Sequence, residues 1–146
     1  MLCRKVDILQ PESITPQSKN YLIPLEWICR WYVAGSLYDR VKEGKVQAKD
    51  LGFASGHKVV YGEILPEPFL EVSTKLEKTD RLLEKAEALR ISGLSSQEYE
   101  DAREVVLKID ADIGKSVASR GLIHVDGKKE LAFDEDRQIM VIDVYG

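Results

Sequence analysis

The chain has 146 residues, of which 44% are hydrophobic and 32% are charged, enough for one domain with a real core and too few for two. Its formal net charge of −4 and its lack of a basic run argue against a nucleic-acid surface, so small molecules or another protein are the expected partners. Two cysteines, no membrane-length apolar run and no signal-peptide pattern together predict a cytoplasmic protein without a disulfide framework.

Two strands and a connecting loop are predicted at the start of the chain. Residues 1–9 mix apolar and charged residues in the manner of a short strand, and the prolines and polar residues of 10–20 indicate a loop. From Leu25 to Ala34 the residues alternate, which predicts a strand with one core face. The other face of this strand carries Glu26 and Arg30.

The end of this strand has the composition of a phosphate cradle. The alternation stops at Gly35, and Ser36 is a natural N-cap for a helix that starts near Leu37 and ends at Gly44. Free backbone N–H groups and a hydroxyl would then lie one strand length beyond Arg30. The alternative is a surface ion pair between Arg30 and Glu26, with Ser36 acting only as a cap.

The middle of the chain is predicted to be loop followed by helices. Glycines punctuate residues 51–62, where we assign His57 no role, and two prolines give residues 65–77 an extended, non-helical path. This second stretch is predicted to be a loop that holds Lys75, or else a plain surface connection. An apolar stripe predicts a helix from Thr79 to Gly93, and a capping box at Ser95 opens a longer one that ends near 120. The charges of both helices are expected to be solvated.

The last part of the chain contains the acids of most interest. Residues 122–126 are predicted to be a short strand, Asp126-Gly127 a turn or bulge, and residues 138–145 an apolar strand that contains Asp143. A carboxylate in so apolar a strand needs a partner or a cation. If Gly127 leaves the pleat intact, Asp126, Lys128 and Glu130 project to one face, and an antiparallel neighbour can bring Asp143 beside Glu130. Such a pair suits Mg²⁺; the alternative is an exposed ion pair between Lys128 and Glu130.

Three motifs in this order resemble the phosphoribosylaminoimidazole-succinocarboxamide synthase (SAICAR synthetase) family. They are Pro-Leu-Glu-x-Ile-x-Arg ahead of Ala-Gly-Ser, Leu-Pro-Glu-Pro ahead of Ser-Thr-Lys-x-Glu, and Asp-x-Lys-x-Glu ahead of Ile-Asp. The resemblance covers nearly the whole chain. It implies an α+β fold, an antiparallel sheet with packed helices, similar to the larger lobe of a kinase-like or ATP-grasp-like ligase.

The resemblance also implies roles for individual residues. It places Arg30 and Ser36 on the phosphate of a ribotide substrate, with Glu26 and Lys75 as further substrate-binding residues. It implies catalytic roles beside the substrate for Asp126 and Lys128. Glu130 and Asp143 match the residues that hold Mg²⁺ against the phosphates of ATP, and residues 4–7 resemble the hinge that meets the adenine.

The activity that the resemblance implies is the ATP-dependent ligation of L-aspartate to carboxyaminoimidazole ribotide in purine biosynthesis, giving SAICAR, ADP and phosphate. Residues 1–146 are expected to form a single domain that corresponds to the central portion of the enzyme, without its N-terminal ATP lobe and C-terminal segment. Two alternatives stay open. One is a truncated or split, non-catalytic ribotide-binding portion, complemented by another fragment or assembled as a homo-oligomer. The other is a related phosphotransferase that acts on another phosphorylated metabolite.

Overall fold

The computed structural model describes residues 4–142, which form one antiparallel sheet with helices packed against it. The strand order is β2-β1-β3-β4. The strands are β1 (Tyr21–Tyr32), β2 (Ile64–Thr74), β3 (Asp126–Phe133) and β4 (Ile139–Ile142). The helices are α1 (Gly35–Lys42), α2 (Lys85–Ser92) and α3 (Ser96–Ala118), with short 3-10 helices at Pro11–Ser13 and Ala48–Leu51. The predicted α+β class is confirmed.

Strand β1 lies at the centre of the sheet, between β2 and β3. The predicted core face is confirmed: Leu25, Trp27 and Cys29 are fully buried in the main core, with α2 and α3 packed against the strand. Apolar area buried in this way is the main favourable term in folding. Burial also raises the pKa of the Cys29 thiol to about 12, with the nearby Asp110 carboxylate acting in the same direction.

A second apolar cluster lies beyond the end of β1 and fixes α1. It contains Val33, Leu37, Leu51 and Leu65. The N-cap prediction for Ser36 is wrong, because Ala34 occupies the cap position and the chain turns at Gly35, whose φ is +50°. Glycine has no Cβ to clash in this left-handed conformation. Ser36 therefore lies in the first turn of α1, where its hydroxyl is available to another partner.

The loop predicted for residues 65–77 is wrong for most of its length, because residues up to Thr74 form β2. Pro66 and Pro68 are tolerated since β2 is an edge strand of the described sheet, and an edge strand needs ladder hydrogen bonds on one side only. The helix predicted from Thr79 begins only at Lys85. The intervening residues are held by main-chain hydrogen bonds to β2, at Arg81 and Leu83.

Two predicted strands near the ends of the described chain are also wrong. Of residues 4–9, only Asp7 makes a bridge, an isolated parallel one with Tyr21. Residues 122–125 are not strand, and the side chains of Leu122 and Ile123 are exposed. An apolar run forms a strand only where another strand is available to pair with it. Strand β3 begins at Asp126, immediately after residues 122–125.

The capping box of α3 is confirmed, because the Ser95 hydroxyl accepts from the Glu98 N–H while the Glu98 carboxylate accepts from the Ser95 N–H. The prediction that the charges of this helix are solvated is wrong for Asp110, which is fully buried. Its carboxylate accepts hydrogen bonds from Trp31 Nε1 at 2.7 Å, His124 Nε2 at 2.9 Å and Lys129 Nζ at 2.9 Å. Lys129 is 3% exposed, so this is a buried ion pair between α3 and the back of the sheet.

Gly127 lies against this buried ion pair. A Cβ added there would be 2.4 Å from Asp110 Oδ1 and 2.8 Å from Lys129 Nζ. We expect Gly127→Ala to lower the free energy of unfolding by about 1–3 kcal/mol, since these buried groups must shift to admit the methyl group. Urea denaturation measures the change.

Gly114 in α3 provides the matched control for this substitution. Its added Cβ would meet His124 at an ordinary 3.9 Å, so Gly114→Ala is expected to stabilise the helix by up to about 1 kcal/mol. A Gly127→Ala variant as stable as the original chain would contradict the close contact.

Candidate functional site

The second face of the sheet, away from α2 and α3, carries charged side chains from three strands. In β1, Glu26 lies opposite Ser73 of β2 and Glu130 of β3, and Arg30 lies opposite Asp126. Gly127 does not interrupt the pairing of β3, so Asp126, Lys128 and Glu130 project to one face as their spacing predicts. We call this the polar face: Glu26, Arg30, Glu71, Ser73, Asp126, Lys128 and Glu130.

One half of the site is a lysine cluster formed by Glu26, Lys75, Lys128 and Glu130. Lys75 Nζ lies 3.3 Å from Glu26 Oε1 and 2.5 Å from Glu130 Oε1. Lys128 Nζ lies 2.7 Å from Glu26 Oε2. Two carboxylates therefore converge on one ammonium group, while the Lys128 side chain is 55% exposed and accessible to a ligand.

The pKa values of two members reflect this charge pairing. Burial raises the pKa of Glu26, but hydrogen bonds from Lys128 and Lys75 outweigh burial and leave it below its ordinary value. The hydrogen bond to Glu130 raises the pKa of Lys75, against the opposing effect of burial. Glu26 is thus a carboxylate and Lys75 an ammonium group at neutral pH.

The other half of the site is an arginine cluster formed by Arg30, Ser36, Arg40, Glu71 and Asp126. Arg30, 7% exposed, donates to Ser36 Oγ at 3.1 Å, to Glu71 Oε2 at 3.1 Å and to Asp126 Oδ2 at 3.3 Å. Arg40 binds both oxygens of Glu71, at 2.6 and 2.7 Å. The predicted surface pair of Arg30 with Glu26 is not among the ion pairs of the described residues.

Sequence reasoning missed Arg40 and Glu71. Arg40 follows Ser36 by four residues on α1, a spacing that places both side chains on one face of a helix. Glu71 gave no signal, because its segment was interpreted as a loop and its partner Arg30 lies 41 residues earlier. Glu71 accepts from Arg30 and from Arg40, so it joins the two guanidinium groups beside Ser36.

The two clusters lie at opposite ends of the polar face. Glu26 and Arg30 are four residues apart in β1, which corresponds to about 13 Å along a strand. This arrangement suits a ligand that has an anionic group at one end and a second polar group at the other. Of the predicted site residues only Asp143 lies outside the described residues.

A cavity of about 350 Å³ opens near the end of β2 and is also lined by Arg90 and Ile91 of α2. Its lining includes Gln10, Pro24, Thr74 and Arg81, and the Lys75 N–H donates to the Pro24 carbonyl at 3.3 Å. Residues 4–7, which the resemblance places at the adenine hinge, lie outside the named strands, and the main chain of Asp7 bonds to Asn20 and Leu22. The side chains of the lysine cluster do not line this cavity.

Histidine, cysteine and acidic side chains do not form a metal cluster of three or more within residues 4–142. His57 is held by Glu63 at 2.7 Å and stacks on Phe53. The helices described in this structure are all too short or too polar to cross a lipid bilayer.

Sequence comparison relates nearly the whole chain to one family. A family model described as SAICAR synthetase matches residues 2–145. The phosphoribosylaminoimidazole-succinocarboxamide synthase of Thermoplasma acidophilum is 52% identical over 146 residues, which are 100% of this chain and 48% of the relative. The Thermoplasma volcanium protein of the same name is 53% identical over 136 residues, 93% of this chain and 46% of the relative.

Solved structures agree with this relation. A structure described as SAICAR synthetase (Type-2) in complex with ADP matches with a TM-score of 0.68 at 28% identity, over 84% of this chain and 46% of that one. The Saccharomyces cerevisiae SAICAR synthase complexed with SAICAR matches with a TM-score of 0.64 at 30% identity, over 84% of this chain and 38% of that one. The chain spans about half the length of the curated relatives it matches. With motifs, fold and family model in agreement, the chain belongs to the SAICAR synthetase family.

Proposed function

We propose that this chain takes part in the ATP-dependent ligation of L-aspartate to carboxyaminoimidazole ribotide, which gives SAICAR, ADP and phosphate in purine biosynthesis. The observation that carries the proposal is the division of the polar face into two clusters about 13 Å apart along β1. The arginine cluster suits a phosphate group, and the lysine cluster suits the groups that react. We further propose that the residues act as one domain, since they share one sheet.

Arg30 and Ser36 are proposed to hold the ribotide phosphate. Glu71 and Asp126 already fix the guanidinium, and the Ser36 hydroxyl lies 3.1 Å from it. The first backbone N–H groups of α1 lie beside Ser36 and have no partner within the helix. A phosphate bound here anchors the substrate remotely from the reacting atoms, and such binding energy raises the rate if it aligns them.

Glu130, together with Asp143, is proposed to hold Mg²⁺. The residues present fit this ion, because the Glu26 and Glu130 carboxylates already converge on one positive charge, the Lys75 ammonium. Mg²⁺ binds carboxylate oxygens and commonly takes only one or two of them. When bound, the ion would neutralise charge on the ATP phosphates and on the substrate carboxylate.

Lys128 and Asp126 are proposed to act on the reacting groups. Lys128 extends from the lysine cluster into solvent and would balance the negative charge of ATP and substrate. Asp126, half exposed, would orient the substrate or accept a proton from it. Activation of the substrate carboxylate as an acyl phosphate, followed by attack of the aspartate amine, depends mainly on such positioning. The cavity lined by Pro24, Thr74 and Arg81 is proposed to seat the nucleotide base, in keeping with the relative bound to ADP.

The reaction is tested by ADP release from ATP and Mg²⁺ in the presence of the ribotide, with and without L-aspartate. The ligase predicts release that depends on aspartate. Release that is independent of aspartate would contradict ligation and favour the phosphotransferase alternative. Ribotide binding without any release would favour the non-catalytic alternative.

The phosphate assignment predicts a specific effect of Arg30→Ala. Ribotide affinity should fall by about 10–100-fold, because charge-assisted hydrogen bonds to the phosphate are lost. Titration calorimetry measures the dissociation constant, and circular dichroism shows whether the variant is folded. Arg103→Ala is the control, since Arg103 lies half exposed on α3 and pairs with Glu100. Unchanged ribotide affinity in folded Arg30→Ala would refute the assignment.

A further inference from the structure

A second cavity lies between the end of β1 and the C-terminal half of α3, and the proposed function does not use it. Its volume is about 440 Å³, which is in the range of sites for small organic molecules. Helix α3 packs on the face of the sheet opposite the polar face, so this cavity is separate from the lysine and arginine clusters. We call it the α3 cavity.

The walls of the α3 cavity suit a flat ring. Trp31 and Tyr32 are consecutive residues, yet both line it, because the pairing of β1 with β2 shifts register just before Tyr32. The residues that α3 contributes on one face are small: Ala111, Gly114 and Ala118. Aromatic walls beside a floor of small residues leave space in which a planar molecule can stack.

His124 adds a fixed polar group to these apolar walls. Its Nε2–H donates to the fully buried Asp110 carboxylate at 2.9 Å, and Asp110 is itself paired with Lys129. In the neutral ring, Nδ1 then carries the lone pair and is a hydrogen-bond acceptor. Within residues 4–142 no donor contacts Nδ1, and the only enclosed side-chain atoms there without a partner are Trp27 Nε1 and Ser73 Oγ. Nδ1 is therefore accessible to a ligand that donates.

The charges around the α3 cavity are already paired, which favours an uncharged ligand. Asp110 neutralises Lys129 and also accepts from Trp31 Nε1 at 2.7 Å, which fixes the indole ring of the wall. The lining residue Lys115 is 78% exposed and lies 3.0 Å from Asp112. A charged group placed against the apolar walls would lose its hydration without gaining a counter-charge.

We propose that the α3 cavity binds a flat, uncharged heteroaromatic molecule that carries an N–H or O–H donor. The donor bonds to His124 Nδ1, and the ring packs against Trp31 and the small residues of α3. Leu122 and Ile123 line the same cavity and are 60% and 69% exposed, so contact with the ring removes apolar surface from water. The site goes beyond the proposed function and does not depend on it.

Titration with indole and with benzofuran tests the proposal, because the two molecules have the same bicyclic shape and only indole has a donor. In two-dimensional amide NMR spectra of the isotope-labelled chain, both should shift the resonances of Trp31, His124 and residues 111–118 to saturation. Indole should bind about 3–10-fold more tightly, the effect of one neutral hydrogen bond. Equal affinities, shifts centred on the polar face, or no saturation by either probe would refute the site.

Two substitutions separate the hydrogen bond from the shape of the cavity. His124→Phe keeps a ring but removes the acceptor, so indole should bind no more tightly than benzofuran, while benzofuran affinity stays the same. Ala118→Leu fills the cavity from an exposed position and should weaken both probes by about tenfold. Ser116→Leu is the matched control, since it adds the same side chain at an exposed position of α3 outside the lining. A preference for indole that persists in His124→Phe would contradict the assigned acceptor.

Sedimentation velocity distinguishes a small ligand from a second copy of the chain. We expect a monomer whose mass does not change when indole is added. A dimer that saturating indole or Ala118→Leu dissociates would show that another copy covers the α3 cavity, and this result would overturn the proposal.

Discussion

Replacing Asp110 by Ala is expected to lower the free energy of unfolding by about 3–5 kcal/mol, because the change leaves the Lys129 ammonium buried without its counter-charge. The two groups are 2.9 Å apart, and their side chains are 0% and 2% exposed. The change also removes the acceptor of the Trp31 and His124 hydrogen bonds. Urea denaturation, followed by far-UV circular dichroism, measures the loss.

Two further variants isolate the buried charge. Asp112 lies on the same helix with an exposed side chain and pairs with Lys115, so Asp112→Ala should change stability by less than about 0.5 kcal/mol. Adding Lys129→Met to Asp110→Ala removes the stranded ammonium and should recover much of the loss. An Asp110→Ala variant that unfolds at the same urea concentration as the original chain would disprove this account.

The ion pair of Asp110 and Lys129 also predicts that the stability of the protein depends on pH. Burial raises the pKa of Asp110, but hydrogen bonds from Lys129, Trp31 and His124 outweigh it and hold the pKa below its ordinary 3.8. A carboxyl group whose pKa is lower in the folded state than in the unfolded state stabilises the protein at pH values above its unfolded-state pKa. This stabilisation is lost as the pH falls through its folded-state pKa. The stability difference between the original chain and Asp110→Asn should therefore shrink below about pH 3.8.

Glu130→Gln is expected to reduce aspartate-dependent ADP release by at least about 10²-fold, the order of effect seen when one preorganised charge is removed from an active site. The substitution keeps the shape of the side chain but removes the negative charge proposed to bind Mg²⁺. Ribotide affinity should change little, because Arg30 and Ser36 lie at the other end of the polar face. Steady-state kinetics and ribotide calorimetry measure the two effects separately.

Glu135→Gln is the control for charge in general, since Glu135 lies exposed in the turn after β3. It should leave both the rate of aspartate-dependent ADP release and the ribotide affinity unchanged. Titration with Mn²⁺ as a probe of the metal site gives a readout apart from turnover, and Glu130→Gln should weaken that binding. Full turnover in Glu130→Gln would exclude the residue from the metal site and from catalysis.

Local patterns predicted part of this structure because neighbouring residues produce them. The alternation from Leu25 to Val33 predicted the core face of β1, since side chains in a strand change face at every residue. The Ser95 capping box predicted the start of α3, because its two members lie three residues apart in the sequence. The shared face of Asp126 and Glu130 also follows from strand geometry within one segment.

Other features depended on partners far away in the chain. Residues 64–74 form a strand because β1 supplies the hydrogen bonds, whereas by themselves their prolines indicate a loop. The main chain of residues 81–83 makes hydrogen bonds to β2, so α2 begins only after them. The apolar stripe from Leu82 therefore predicted a helix that was too long. The burial of Asp110 depends on Lys129, which arrives from a separate strand.

By itself, the sequence determined the family, the α+β class, the core face of β1 and the set of acids and bases that face one side of β3. These properties depend on the order and spacing of residues within single segments. Only the tertiary structure decided that Arg30 and Arg40 share Glu71, that Lys75 bridges Glu26 and Glu130, and that Ser73 is buried without a partner. Charge pairing and burial depend on which segments meet, and strand pairing across the sheet brings those segments together.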